Sequence, residues 1–97
     1  MTLLLPHQPA APFQVIDGNA LDLILAGRPF QPEQGARSVY RIKERLRGSK
    51  SRVSPATDHI IAIRQHQGMH KLGVYQYDEH GEKPAELLVS FRLERVR

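Results

Sequence analysis

The strongest constraint on the fold is an alternation of apolar and polar residues within positions 87–96. In an extended strand the apolar side chains share one face, and they are Leu87, Val89, Phe91 and Leu93. The polar side chains share the other face, and they are Ser90, Arg92 and Glu94. This period of two predicts a β-strand with one buried face and one solvated face.

Two further stretches, 60–66 and 72–77, also have the composition of strands. Gln67 and Gly68 predict a tight turn after the first, and the glycine- and proline-containing run 78–85 predicts a turn after the second. Consecutive strands joined in this way form an antiparallel meander. We therefore expect a three-stranded antiparallel sheet in the C-terminal part of the chain.

The N-terminal part predicts an extended arm followed by a helix. Prolines at three-residue spacing make positions 1–14 extended. Apolar residues with helical spacing follow, Asp17 or Asn19 can cap this helix, and Gly27 suits the position after it. A chain of 97 residues forms one domain. We expect a single α+β domain at 15–97, in which one or two N-terminal helices pack on the three-stranded meander sheet.

Positive charge is concentrated in residues 37–52, which we name the basic segment. It holds seven of the 14 basic residues of the chain and one of the 10 acidic residues, Glu44. The cations are Arg37, Arg41, Lys43, Arg45, Arg47, Lys50 and Arg52. Like charges at this density repel one another, and only solvent or an anionic partner compensates them. The basic segment is therefore the candidate binding surface.

The conformation of the basic segment stays open at the level of sequence. In a helix, Val39, Ile42 and Leu46 would share one face. In a strand, residues at alternate positions would share one face, and these would be Val39, Arg41, Lys43, Arg45 and Arg47. The helix formers at 43–47 and the stop at Gly48 favour a second helix. Both geometries gather several cations on one surface.

Cations on one element and its following loop suit the phosphate backbone of DNA or RNA, because each neutralised phosphate releases counterions. Tyrosines are candidates for base stacking, and they are Tyr40, Tyr75 and Tyr77. The sequence has no RNP motif, zinc-finger spacing or recognisable helix-turn-helix. We expect a small non-enzymatic protein that binds nucleic acid. The alternative is an inhibitor or adaptor that docks the same cations on an acidic protein surface, for example within a nucleoprotein complex.

A third hypothesis is a metal-independent ribonuclease of the toxin type, which places acid, base and phosphate-stabilising groups on an antiparallel sheet. The residues available for it are Arg64, His66, His70, Lys71, Tyr75, Tyr77 and Arg92. His66 and His70 do not predict a metal site, because Gly68 interrupts any helix that would align them. We expect neither a metal nor another cofactor.

The composition also suggests a compartment. The chain has no cysteine, so it predicts neither disulfides nor thiolate chemistry. The apolar run 3–5 is followed at once by Pro6 and is too short for a signal peptide or a spanning helix. We expect a cytoplasmic protein without membrane contact. If the 87–96 strand lay at an edge of the sheet, it could pair with a second copy and give a homodimer.

Overall fold

The computed structural model describes residues 13–33, 35–54, 58–77 and 85–97. These residues form one five-stranded antiparallel sheet, with strands β1 (Phe13–Ile16), β2 (Tyr40–Gly48), β3 (His59–His66), β4 (Met69–Gln76) and β5 (Glu86–Arg95). The strands lie side by side in the order β1-β3-β4-β5-β2, so β1 and β2 form the two edges. Between β1 and β2, a 3₁₀ turn at Gly18–Ala20 leads into helix α1 at Leu21–Leu25, and a second 3₁₀ turn at Lys50–Arg52 follows β2.

The prediction of one or two helices on a three-stranded meander is wrong. The three predicted strands are present as β3, β4 and β5, but they form only the middle of a five-stranded sheet. The described residues contain one α-helix of five residues, and the predicted second helix is strand β2. Pairing with β5 satisfies the backbone groups on one side of β2 and buries Tyr40, and this tertiary gain outweighs the helix preference of residues 43–47.

The N-terminal helix is present but short. Asp17 caps the preceding 3₁₀ turn, and its Oδ1 accepts a hydrogen bond from the backbone N–H of Asn19 at 2.9 Å. Gly27 has a φ of +73°, which confirms the left-handed residue predicted after the helix. In α1 itself only Ile24 is buried. None of the helices in the described part of the chain has the length and apolar character that a membrane crossing requires.

Two predicted segments lie largely outside the described residues. Of the predicted arm at 1–14, the described residues include only the last two positions, which begin β1. Of the predicted turn at 78–85, they include only Ala85, which is buried. The turn at Gln67 and Gly68 is confirmed, because both residues have positive φ, +53° and +73°, and join β3 directly to β4. Two positive φ values are the requirement of the commonest two-residue hairpin turn.

The two faces of the sheet are covered differently. One face, the covered face, packs against α1 and the residues around it. Its core consists of Ile16, Ile24, Phe30, Tyr40, Ile61, Ile63, Leu72, Val74, Val89, Phe91 and Leu93. The opposite face, which we name the open face, has no helix of the described chain against it. It carries a smaller apolar cluster formed by Ile60, Ala62 and Ala85, with Tyr75 and Tyr77 packed against them.

Strand β5 follows its predicted alternation over most of its length. From Val89 to Glu94 the apolar residues face the core and the polar ones face the open side. A β-bulge at Leu88 changes the pattern before that point, since it turns Leu87 to the open face opposite Tyr75. The bulged Leu88 is itself buried, with 4% of its surface exposed.

Strand β5 is not an edge strand, contrary to the assumption behind the predicted homodimer. It pairs with β4 on one side and with β2 on the other. The ladder with β2 continues past both strands, where the N–H of Val39 donates to the carbonyl of Arg97 at 2.9 Å. Pairing within the chain thus occupies both sides of β5.

Candidate nucleic-acid interface

The basic segment lies mostly in the edge strand β2. Four of its cations belong to β2, Arg37 precedes the strand, and the last two belong to the 3₁₀ turn that follows. All seven are exposed, and they are Arg37, Arg41, Lys43, Arg45, Arg47, Lys50 and Arg52. Exposure alone does not make one surface of them, because their directions and partners differ.

Two β-bulges in β2 divide these cations between the faces of the sheet. The extra residues are Lys43 and Leu46. Arg41 and Arg47 lie opposite polar residues of β5 and share the open face with them, whereas Arg45 lies opposite the buried Phe91. A strand without bulges would have placed all these cations on one side.

Two cations of the basic segment are neutralised by carboxylates of β5. Arg41 Nε donates a hydrogen bond to Glu94 Oε1 at 2.5 Å, and Arg52 Nη2 donates one to Glu86 Oε1 at 2.5 Å. The hydrogen bond from Arg41 is the main reason why the pKa of Glu94 is lowered. Both ion pairs are exposed to solvent, so they contribute little to stability. Their effect is to cancel part of the charge of the segment.

Two other cations are engaged by uncharged groups. Arg45 Nη1 donates a hydrogen bond to the carbonyl of Gly48 at 2.6 Å. The ammonium of Lys50 lies 5.9 Å from the centre of the Phe91 ring, within the range of a cation–π contact. Within the described residues, no ion pair engages the remaining three, which are Arg37, Lys43 and Arg47.

The open face carries a second set of cations, from the three central strands. The register places Arg64 of β3 opposite Lys71 of β4, and Lys71 opposite Arg92 of β5. Neighbouring strands are about 4.8 Å apart, so the three cations stand side by side across the sheet. We name these three residues, each half-buried, the basic row.

The basic row is incompletely neutralised. Arg92 Nε lies 3.1 Å from Glu44 Oε1, but it has no aligned hydrogen bond to that oxygen or to another described residue. No carboxylate in the described ranges forms an ion pair with Arg64 or Lys71. Like charges directly opposite each other destabilise a sheet. An anion over Arg64 and Lys71 would relieve this repulsion.

Tyr75 lies flat on the open face beside the basic row. Its ring covers Gly73, where a Cβ atom would come within 2.7 Å of Tyr75 Cε1. Burial raises the pKa of the Tyr75 hydroxyl, and the positive charge of Arg64 lowers it by a smaller amount. Of the tyrosines predicted for base stacking, Tyr75 and Tyr77 pack on the apolar cluster of this face, whereas Tyr40 is buried in the core.

A pocket of about 450 Å³, which we name the end pocket, opens where the loop before β2 meets the ends of β3 and β4. Its lining includes Arg37 of the basic segment, Arg64 of the basic row, Gln65 and His70. The rings of His70 and Tyr40 are in contact, with centroids 5.1 Å apart and planes inclined by 43°. The end pocket is thus the place where the two sets of cations meet.

Of the seven residues of the ribonuclease hypothesis, all but His70 share the open face or border on it. They are Arg64, His66, Lys71, Tyr75, Tyr77 and Arg92. The register places His66 opposite Met69 and His70 opposite Gln65, so the two histidines lie on opposite faces and do not share a metal ion. The described ranges contain no group of three or more His, Cys, Asp or Glu side chains that could hold one.

The basic row is the part of this interface that the sequence analysis did not assemble. A signal for half of it exists in the sequence. Since a two-residue turn at 67–68 fixes the register of the hairpin, Arg64 must face Lys71. Arg92 gives no such signal, because its register depends on a connection that is not a tight turn.

Comparisons with known proteins do not identify a family. No protein-family model matches the chain, and no curated protein and no solved structure gives a significant match.

Proposed function

We propose that the protein binds the phosphate backbone of DNA or RNA without cleaving it, through the open face of the sheet and the adjoining strand β2. The observation that supports this most is the basic row, in which three half-buried cations stand in register across three strands. Lys43 and Arg47 extend the positive surface onto β2. A polyanion that crosses the strands would meet cations on four neighbouring strands.

The strength of such binding follows from the number of free cations. Within the described residues, five cations of the basic segment and the basic row have no ion pair, and they are Arg37, Lys43, Arg47, Arg64 and Lys71. Each phosphate that a cation neutralises releases counterions, which makes the affinity depend on salt. If all five contact phosphate, a plot of the logarithm of the binding constant against the logarithm of the salt concentration has a slope of about −4.5 for duplex DNA and about −3.5 for a single strand.

The experiment is fluorescence anisotropy with labelled duplex DNA, single-stranded DNA and RNA over a salt titration. We expect binding at low salt with a slope near these values. In the double variant Arg64→Gln, Lys71→Gln the slope for duplex DNA should decrease in magnitude by about 2, one for each lost phosphate contact. The matched control, Arg28→Gln with Arg95→Gln, removes two exposed cations away from the open face and should keep the slope.

Other outcomes would assign the surface differently. If both double variants lost equal amounts of affinity and of salt slope, the net charge of the protein, and not the basic row, would attract the nucleic acid. If no nucleic acid bound at low salt, the proposal would be wrong and the cations would serve to dock an acidic protein surface. Shortened RNA after incubation without metal would instead support the ribonuclease hypothesis.

A further inference from the structure

The end pocket has the size and position of a site for one nucleotide. Its volume of about 450 Å³ lies within the range of small-molecule sites. Arg37 and Arg64 are both among its lining residues. The register places the other lining residues of β3 and β4, which are Ile63, Gln65 and His70, on the covered face, so the pocket lies around the end of the sheet from the basic row. A strand that runs along the basic row can therefore place its terminal unit in this pocket.

The pocket offers a flat partner for a base. The rings of Phe30 and Tyr40 lie 6.5 Å apart, and His70 follows at 5.1 Å from Tyr40. Phe30 and Tyr40 are buried in the core, whereas His70 is only half-buried. The core thus supports the imidazole from behind and leaves part of it accessible. Histidine is among the side chains on which unpaired bases stack.

The other lining residues supply polar contacts of the kinds that a nucleotide needs. Gln14 and Gln65 are exposed side chains whose amides can both donate and accept hydrogen bonds. Arg37 and Arg64 supply guanidinium groups, which suit the geometry of phosphate. Glu33, the carboxylate among the described lining residues, can accept hydrogen bonds from hydroxyl or amino groups but would repel a phosphate.

We propose that the end pocket binds one nucleoside monophosphate unit, either free or at the end of a nucleic-acid strand. The base lies against His70, and the phosphate lies near Arg37 and Arg64. The strand-end form rests on the proposed function, whereas binding of the free nucleotide does not.

The first test is an NMR titration of the ¹⁵N-labelled protein with AMP, CMP, GMP, UMP and inorganic phosphate. We expect at least one nucleotide to shift the amide signals of Arg37, Gln65 and His70. It should bind at least about tenfold more tightly than inorganic phosphate, because stacking of the base adds to the affinity. If phosphate bound as tightly as every nucleotide, or if the shifts lay elsewhere, the pocket would not be a nucleotide site.

The second test uses the two histidines as a matched pair. His70→Ala removes the stacking partner and should weaken nucleotide binding about tenfold. His66→Ala changes a histidine on the opposite face that is not among the described lining residues, and it should leave mononucleotide binding in the pocket unchanged. Arg37→Gln alters an exposed residue outside the core and provides a second variant if His70→Ala unfolds the protein. Wild-type affinity in both His70→Ala and Arg37→Gln would overturn the inference.

Short single strands with and without a 5′-phosphate, and with and without a 3′-phosphate, distinguish the two sources of the nucleotide. If strand ends bind, a terminal phosphate should raise the affinity of the wild type but not of His70→Ala. Equal affinity of all strands, together with binding of mononucleotides, would assign the pocket to free nucleotides. Salt-dependent duplex binding with mononucleotide affinity unaffected by His70→Ala would refute this inference alone. Mononucleotide binding without any affinity for strands or duplexes would refute the proposed function alone.

Discussion

Replacing Lys71 with glutamate should separate the two effects that we propose for the basic row, which are nucleic-acid binding and destabilisation of the fold. In the folded protein Lys71 stands between Arg64 and Arg92, directly opposite each of them. A glutamate at this position would face a cation on either side. The row would then alternate in charge, where three like charges now stand together. We therefore expect Lys71→Glu to stabilise the fold and to weaken nucleic-acid binding.

The gain in stability comes from two cross-strand pairs. A pair of opposite charges directly across a sheet contributes roughly 0.2–1 kcal/mol, and a repulsive pair costs a similar amount. All three side chains are partly exposed, so solvent screens both effects and the total gain is about 1 kcal/mol. For a domain of this size, that free energy raises the Tm by about 4–8 °C. Lys71→Gln, which removes the repulsion but adds no attraction, should give about half of this gain.

Thermal unfolding at low and high salt, followed by circular dichroism, measures the first effect. At an ionic strength of about 1 M the Debye length is only about 3 Å, so the difference in Tm between the wild type and the variant should nearly vanish. Anisotropy measures the second effect, and we expect the affinity for duplex DNA to fall about tenfold or more at low salt. A variant that is less stable than the wild type, or one that binds equally well, would refute the reasoning.

Three further perturbations test the geometry around this surface. Gly48→Ala should cost about 3–4 kcal/mol in urea unfolding, because Gly48 has a left-handed φ of +72° and the new Cβ would overlap a backbone carbonyl of β5. Gly27→Ala, at a φ of +73° with open space around it, should cost only about 1–2 kcal/mol. Equal costs in the two variants would contradict the overlap. Burial raises the pKa of the Tyr75 hydroxyl. The contribution of Tyr75 to stability should therefore be retained below its ordinary pKa of about 10 and lost as the pH rises through the raised pKa. Unfolding curves at alkaline pH should show this loss of stability in the wild type but not in Tyr75→Phe. The hydrogen bond from Arg41 lowers the pKa of Glu94. The contribution of this pair to stability should therefore be present above the ordinary pKa of a glutamate and lost as the pH falls through the lowered pKa of Glu94. NMR titration should show a higher pKa of Glu94 in Arg41→Gln, and an unchanged pKa would contradict the pairing.

The middle of the sheet is predictable from the sequence because its signals are local. The alternation in 87–96 and the turn at Gln67 and Gly68 each depend on a few neighbouring residues. The turn is confirmed, and the alternation is confirmed from Val89 to Glu94. Strand β1 gives no comparable signal, since it has only four residues and follows a proline-rich stretch. Its extended form depends on pairing with β3, which lies far along the chain.

At strand β2 the sequence left helix and strand open and favoured the helix, because what stabilises the strand is not local. Residues 43–47 are good helix formers, and the strand buries only Tyr40 fully. Bulges at Lys43 and Leu46 interrupt the regular change of face along the strand, so the faces that its side chains occupy do not follow their spacing in the sequence. Its backbone partner is β5, and the carboxylates that pair with its cations come from β5 as well. The division of the cations between the two faces therefore follows from the register, which no short stretch of sequence encodes.

The position of β2 at the edge of the sheet has a consequence for solubility. Apart from the bridge between Tyr40 and Phe30, its outer side has no neighbouring strand in the described structure, so a row of backbone N–H and C=O groups is available to other chains. Edges of this kind promote aggregation, and lysine, arginine and β-bulges on the edge oppose it. We therefore expect the cations of the basic segment to oppose edge-to-edge association, whatever they bind. Variants that exchange them for apolar residues should self-associate, and charge at these positions would be retained even if the protein never met a polyanion.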